Sequence, residues 1–197
     1  MTTQPTPSAG RPTPGIAVIQ VGVAIAAIAL CAQVSVAIPG TPVPQSLQTL
    51  AVAVVGLTLG PAYGSLAVLL YVVLGGVGAP IFADGAGGME SLRGPTAGYL
   101  VGFVLGAAVA GLPAVVDRMR NVLGAFTAAG AAHVVILGFG WLRLAGMLGV
   151  SEAYTAGVAP FLMGGLVKAA AAALLWIGFE RLRRELSAPA SSEPQEV

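Results

Sequence analysis

The chain holds one cysteine and one histidine, and that scarcity excludes whole classes of chemistry. No intrachain disulfide can form, and no His/Cys spacing of a metal site occurs. Cys31 lies in an apolar run and reads as a small buried residue. Charge is nearly as scarce: Asp, Glu, Lys and Arg make up 9%, against about a quarter of a soluble domain. A surface that poor in charge cannot face water. The net charge of +1 points to no nucleic-acid partner. The glycine-rich runs contain no GxxxxGK[ST], so no Walker-type nucleotide loop is expected. No Ser/His/Asp set, paired carboxylates within the apolar runs, arginine-rich helix or selectivity-filter motif is visible. No catalytic residue, metal ligand or cofactor is assigned, and a hydrolase is not expected.

What the chain has is apolar length. Hydrophobic residues reach 56% and mean hydropathy is +0.89, which predicts an all-α integral membrane protein. Residues 1–14 are Thr-, Pro- and Ser-rich and read as a disordered tail. Residues 15–182 read as the membrane domain, and 183–197 as a polar C-terminal tail. Six spans are predicted, at about 16–38, 47–59, 62–77, 95–112, 122–142 and 156–179. The first exceeds the 7–15 apolar residues of a signal peptide, although VSVA mimics a cleavage site. The second ends at Gly60-Pro61, a helix stop followed by a helix start, and is short for a crossing. Arg11, Arg118, Arg120, Arg181, Arg183 and Arg184 fall on one side of this arrangement, with Arg93 and Arg143 opposite. The bias predicts that both termini are cytoplasmic. Small residues four apart (Gly22 with Ala26, Ala27 with Cys31 and Ser35, Gly98 with Gly102 and Gly106) predict close helix contacts, or on the first helix a partner subunit.

The chain is organised around residues 71–102, YVVLGGVGAPIFADGAGGMESLRGPTAGYLVG. This loop between spans carries only three charges, Asp84, Glu90 and Arg93. Glycine permits tight turns and close approach, so a lid over a cavity is expected rather than a linker. Lys168, about mid-span, is the leading candidate for a ligand contact, because a charge there is normally paired or lines a wet cavity. Arg93 would sit at the outer mouth, either as a fork for a carboxylate or paired with Glu90. Gln45, Ser46 and Gln48 start the second helix, either as donors into the cavity or as caps. Tyr71 and Tyr99 place hydroxyls at cavity depth, although interfacial tyrosines are routine. His133 reads as a packing residue with a hydrogen bond.

Five motifs occur together and in order: Val43-Pro44-x-Ser46-x-Gln48; Leu59-Gly60-Pro61-x-x-Gly64; Tyr71-x-x-x-Gly75-x-x-Gly78-x-Pro80-x-Phe82; Gly94-Pro95-Thr96-x-Gly98-Tyr99; and Pro160-Phe161 with Lys168. Over about residues 16–175 the chain thereby resembles the BioY family, the biotin-specific S components of energy-coupling factor transporters. The resemblance implies the six-helix S-component fold in the bacterial cytoplasmic membrane. It implies biotin captured from outside as transported substrate, with no cofactor. A transmembrane scaffold subunit and ATPase subunits are the implied partners, besides the lipid bilayer; the chain itself would not be an enzyme. Lys168, Arg93, Tyr99, Gln48, Ser46, Tyr71 and Phe82 are the implied substrate-binding residues. A stand-alone facilitator, or an S component for another small vitamin, is the alternative. In the family the sixth helix reads Pro-Phe-x-x-Gly-Asp-x-x-Lys; here Gly165 stands at the Asp position, and Ser46 where a threonine is usual. Either another acceptor serves (Gln48 is one candidate), or affinity is lower, or the ligand differs. A carboxylate restored at 165 would be expected to tighten binding.

Overall fold

The structure, a computed structural model, describes residues 13–116 and 119–187. The tails expected at 1–14 and 183–197 therefore fall largely outside the described residues, as do Asp117 and Arg118 of the polar break. The helices are α1 (Pro14–Gln33), α2 (Gln48–Gly76), α3 (Met89–Arg93), α4 (Ala97–Ala110), α5 (Leu112–Val115), α6 (Val122–Leu148), α7 (Val150–Gly157) and α8 (Leu162–Ser187). By length and composition, five stretches of helix suffice to cross a membrane.

One of those five is a hairpin. Gly60 has φ 75° and ψ 177°, a region essentially closed to residues with a Cβ. Pro61 follows at the first turn of the next limb, where its missing N–H leaves nothing unpaired. Gln48 Nε2 lies 2.6 Å from Tyr71 Oη, whereas an unbroken helix would hold those residues about 35 Å apart. Residues 48–59 and 61–76 are thus antiparallel limbs, matching the separate second and third spans expected from the sequence. The first limb rises only about 18 Å.

Other boundaries move. The last long helix begins at Leu162 rather than near 156, because α7 ends at Gly157 and a 3-10 turn, Ala159–Phe161, intervenes around Pro160. That proline fits a first turn but cannot continue a helix. Gln45 and Ser46 do not start α2. They form a short strand, β2 (Gln45–Ser46), paired antiparallel with β1 (Ser35–Val36) in the register Ser35↔Ser46.

The packing is a ring. α2 contacts α4, α4 contacts α6, α6 contacts α8, and α8 returns to α2, with α1 leaning on α2. Small residues set the closest approach. A Cβ on Gly102 would meet Ile136 Cα at 2.9 Å, and one on Gly106 would meet Ile136 Cγ1 at 2.9 Å. The Gly98/Gly102/Gly106 stripe is thus the α4–α6 contact, as membrane helices pack without a hydrophobic drive. Gly22 on α1 faces nothing within 4 Å.

Two cores divide the bundle. Near the loop end lie Ile28, Val52, Tyr71, Phe82, Tyr99 and Phe103. The other end is built from small residues, including Ala53, Ala110, Ala129 and Ala172, around Trp176. The outer faces carry Val18, Ile19 and Leu30 on α1 and Met163, Val167 and Leu174 on α8, all well exposed. Apolar surface on that scale suits lipid rather than water. The β1–β2 pair, the 77–96 loop and the α6–α8 connection gather at one end, tied by Ser35–Asp84, Arg143–Gly94 and Tyr99–Gly157 hydrogen bonds. α1 enters, and α8 leaves, at the opposite end.

Candidate functional site

The loop between α2 and α4 folds down onto the helices because its glycines let it. Gly88 N–H donates to Gly75 O at 2.7 Å. The Phe82 ring fills the space where a Cβ on Gly75 would be. That ring meets Tyr71 edge to face, with centroids 5.5 Å apart and planes at 73°. Asp84 takes φ 58°, ψ 27°, a conformation that a short polar side chain tolerates. Its carboxylate accepts from Ser35 Oγ, and Gln33 Nε2 reaches Phe82 O at 3.3 Å. The loop is therefore fastened to both α1 and α2.

Beneath it lies a cavity of about 260 Å³, small for a ligand pocket. Its walls come from β2, α2, α4, α6, α8 and the loop. Val43, Leu100, Phe103, Ile136, Leu137 and Phe161 supply the apolar lining.

Five of the seven residues expected at a binding site from the sequence reach the cavity lining. Ser46, Gln48, Phe82, Tyr99 and Lys168 all line the cavity; Arg93 and Tyr71 do not. Ser46 Oγ donates to Gln48 Oε1 at 2.9 Å, Gln48 Nε2 donates to Tyr71 Oη at 2.6 Å, and Tyr71 Oη donates to Ile81 O at 2.8 Å. This chain joins β2, both limbs of α2 and the loop. Its hydroxyls and amide are engaged with one another, so it braces the wall. Gln48, a candidate acceptor from the sequence, already receives Ser46 on its oxygen. Tyr71 is fully buried behind that wall. Tyr99 presents its ring, tilted 6.3 Å from Phe161, while its hydroxyl donates to Gly157 O at 2.7 Å.

Arg93 is exposed at the end of α3, and its carbonyl accepts from Arg143 Nη2. Arg143 also donates Nε–H to Gly94 O at 3.2 Å, holding the loop to α6. The fork expected at the mouth thus lies outside the cavity lining.

Lys168 lines the cavity with its ammonium. No ion pair within reach is found for it among the described residues; Nζ donates to Ser46 O at 2.6 Å. An ammonium has three N–H groups, so two remain for the cavity. His133 also lines the cavity, which the sequence reading missed. It is 6% exposed. Its Nδ1 sits 2.8 Å from Ala129 O, and its Nε2 has no partner. The available signal was its place four residues after Ala129 on a span whose small residues face the bundle.

Comparison with known proteins agrees with this geometry. The BioY family matches residues 7–185. A protein of Pyrococcus horikoshii called a probable biotin transporter BioY is 38% identical over 152 residues, covering 77% of this chain and 88% of that protein. The biotin transporter BioY of Thermotoga maritima is 38% identical over 169 residues, covering 85% of this chain and 97% of its own. The crystal structure of the S-component for biotin from an ECF-type ABC transporter superposes with a TM-score of 0.77 over 88% of this chain and 95% of that one. At 22% identity that match establishes the fold. The profile match over most of the chain and these relatives together show that the chain belongs to the BioY family.

Proposed function

We propose that this chain binds biotin with high affinity and serves as the substrate-specificity subunit of an ECF-type transporter. The observation that carries the reading is Lys168, a lysine with two unspent N–H donors in the wall of an otherwise mostly apolar cavity. Biotin combines an apolar chain with a polar ureido ring and a carboxylate. A small pocket with few polar groups suits such a molecule, because those groups fix orientation while the apolar lining supplies contact. The lysine would donate to an oxygen of the ligand.

In this reading the loop end faces outward, both termini are cytoplasmic, and the membrane is the bacterial cytoplasmic membrane. The arginine bias across the spans supports that orientation. Energy would come from a transmembrane scaffold subunit and separate ATPase subunits, and the chain would carry out no chemistry of its own. Ser46, Gln48, Tyr99 and Phe82 would shape the pocket around the ligand, and Tyr71 would brace it from behind. Arg93 would act at the entrance rather than in the pocket.

Titration of the purified protein in detergent with labelled biotin tests the proposal. Saturable binding at one site per chain, unaffected by an excess of other vitamins, is expected. Binding of another vitamin in place of biotin would transfer the reading to that ligand. Uptake by vesicles containing this chain alone would favour a stand-alone facilitator.

A further inference from the structure

The cavity has a donor in Lys168, and the chemistry of a ring that both accepts and donates calls for an acceptor beside it. Most side-chain oxygens on the wall are already engaged. Ser46 and Gln48 are bonded to each other, and Tyr99 to Gly157. Asp84 is exposed on the loop and bound by Ser35. Among the described residues, one buried side-chain polar atom has no partner: His133 Nε2.

Its protonation follows from its other nitrogen. Nδ1 is 2.8 Å from the Ala129 carbonyl, and two lone pairs would repel at that distance, so Nδ1 carries the hydrogen. In the neutral ring Nε2 is then an acceptor. The ring also stands in the right place. A Cβ on Gly165 would lie 3.3 Å from His133 Cδ2, the carbon bonded to Nε2. Gly165 is thus the gap that admits the imidazole edge, three residues before Lys168 on the same helix.

We infer that His133 Nε2 accepts a hydrogen bond from an N–H of the bound ligand's polar ring, to which Lys168 donates. This rests on the biotin reading above, in which the ureido ring offers N–H groups to His133 and a carbonyl to Lys168. Leaving the imidazole acceptor without a partner in a dry site is costly, so the ligand's ring would be drawn to this orientation. The residue selects for ligands that carry a donor at that position.

His133 is the only histidine in the chain, so its ring nitrogens can be observed without ambiguity. The protein would be purified through a tag free of histidine, labelled with 15N-histidine, and examined by NMR in detergent. Before biotin is added, one protonated nitrogen and one lone-pair nitrogen are expected. Saturating biotin should move the lone-pair resonance upfield, as hydrogen bonding does, and leave the protonated one in place. Biotin that binds without moving the imidazole signals, or that binds to a ring protonated on Nε2, overturns this inference alone. Absence of biotin binding removes the functional reading as well. In parallel, His133→Phe is expected to weaken biotin binding about tenfold, and His133→Gln, whose amide oxygen can reach the Nε2 position, to weaken it less. Equal losses in the two variants, or none in His133→Phe, would show that the ring is packing.

Discussion

Lys168 gives one of its three N–H groups to the Ser46 carbonyl, and the remaining two are what a ligand would meet. Lys168→Ala is expected to reduce biotin affinity about tenfold or more, since a polar contact left unmade in a dry site costs about 1–3 kcal/mol. The variant should still enter the membrane and elute as the parent does. Wild-type affinity in a titration would remove Lys168 from the site. Gly165 presents the opposite case. From the sequence, an Asp at 165 is expected to tighten binding through an added acceptor. The structure supplies a reason to expect the opposite, because a Cβ there would lie 3.3 Å from His133 Cδ2 and the imidazole would have to give way. A carboxylate would also lose hydration in a confined cavity. Gly165→Asp is therefore expected to bind biotin more weakly than the wild type. Tighter binding in a side-by-side titration would mean that the imidazole moves aside without loss.

At the scale of elements, the loop from Ala79 to Gly94 is held by few bonds, each with a clear partner. Gly88 reaches Gly75, Asp84 receives Ser35, and Arg143 donates to the Arg93 and Gly94 carbonyls. Phe82 anchors the loop's start in the core, whereas none of residues 83–90 is buried, and that part can open at lower cost. A ligand beneath would add contacts to Phe82 and Ala86, which line the cavity. The loop should therefore act as a lid. Amide exchange across residues 79–94 is expected to slow when biotin is added, while the interior of α4 stays unchanged. Equal exchange with and without biotin would show a fixed connector. The hairpin of α2 has no comparable freedom. Its bend depends on Gly60, and its limbs are locked by the Gln48–Tyr71 bond.

For the whole molecule, the two ends of the bundle are unlike, and orientation can be read by labelling each. All connections that close the cavity lie at one end, and α1 begins and α8 finishes at the other. With Cys31 replaced by alanine, a cysteine at exposed Ser151 should react with a membrane-impermeant maleimide in intact spheroplasts. A cysteine at exposed Arg184 should react only after permeabilisation. The reverse pattern would place the cavity end toward the cytoplasm and remove capture from outside.

Sequence pattern alone was enough for the apolar helices, the hairpin and the loop over the cavity. Apolar length sets crossings whatever the neighbours do, and Gly60-Pro61 ends one helix and starts the next through backbone chemistry alone. It also marked Lys168, because a lone charge within a span demands a reason. Packing decided which polar groups remain free. Gln48 is spent on Ser46 and Tyr71, Arg93 turns outward where Arg143 takes its carbonyl, and His133 turns inward beside Gly165. Those outcomes depend on how far each helix is rotated about its axis and on contacts between residues as remote as Lys168 and Ser46, 122 positions apart. Local pattern carries no record of either.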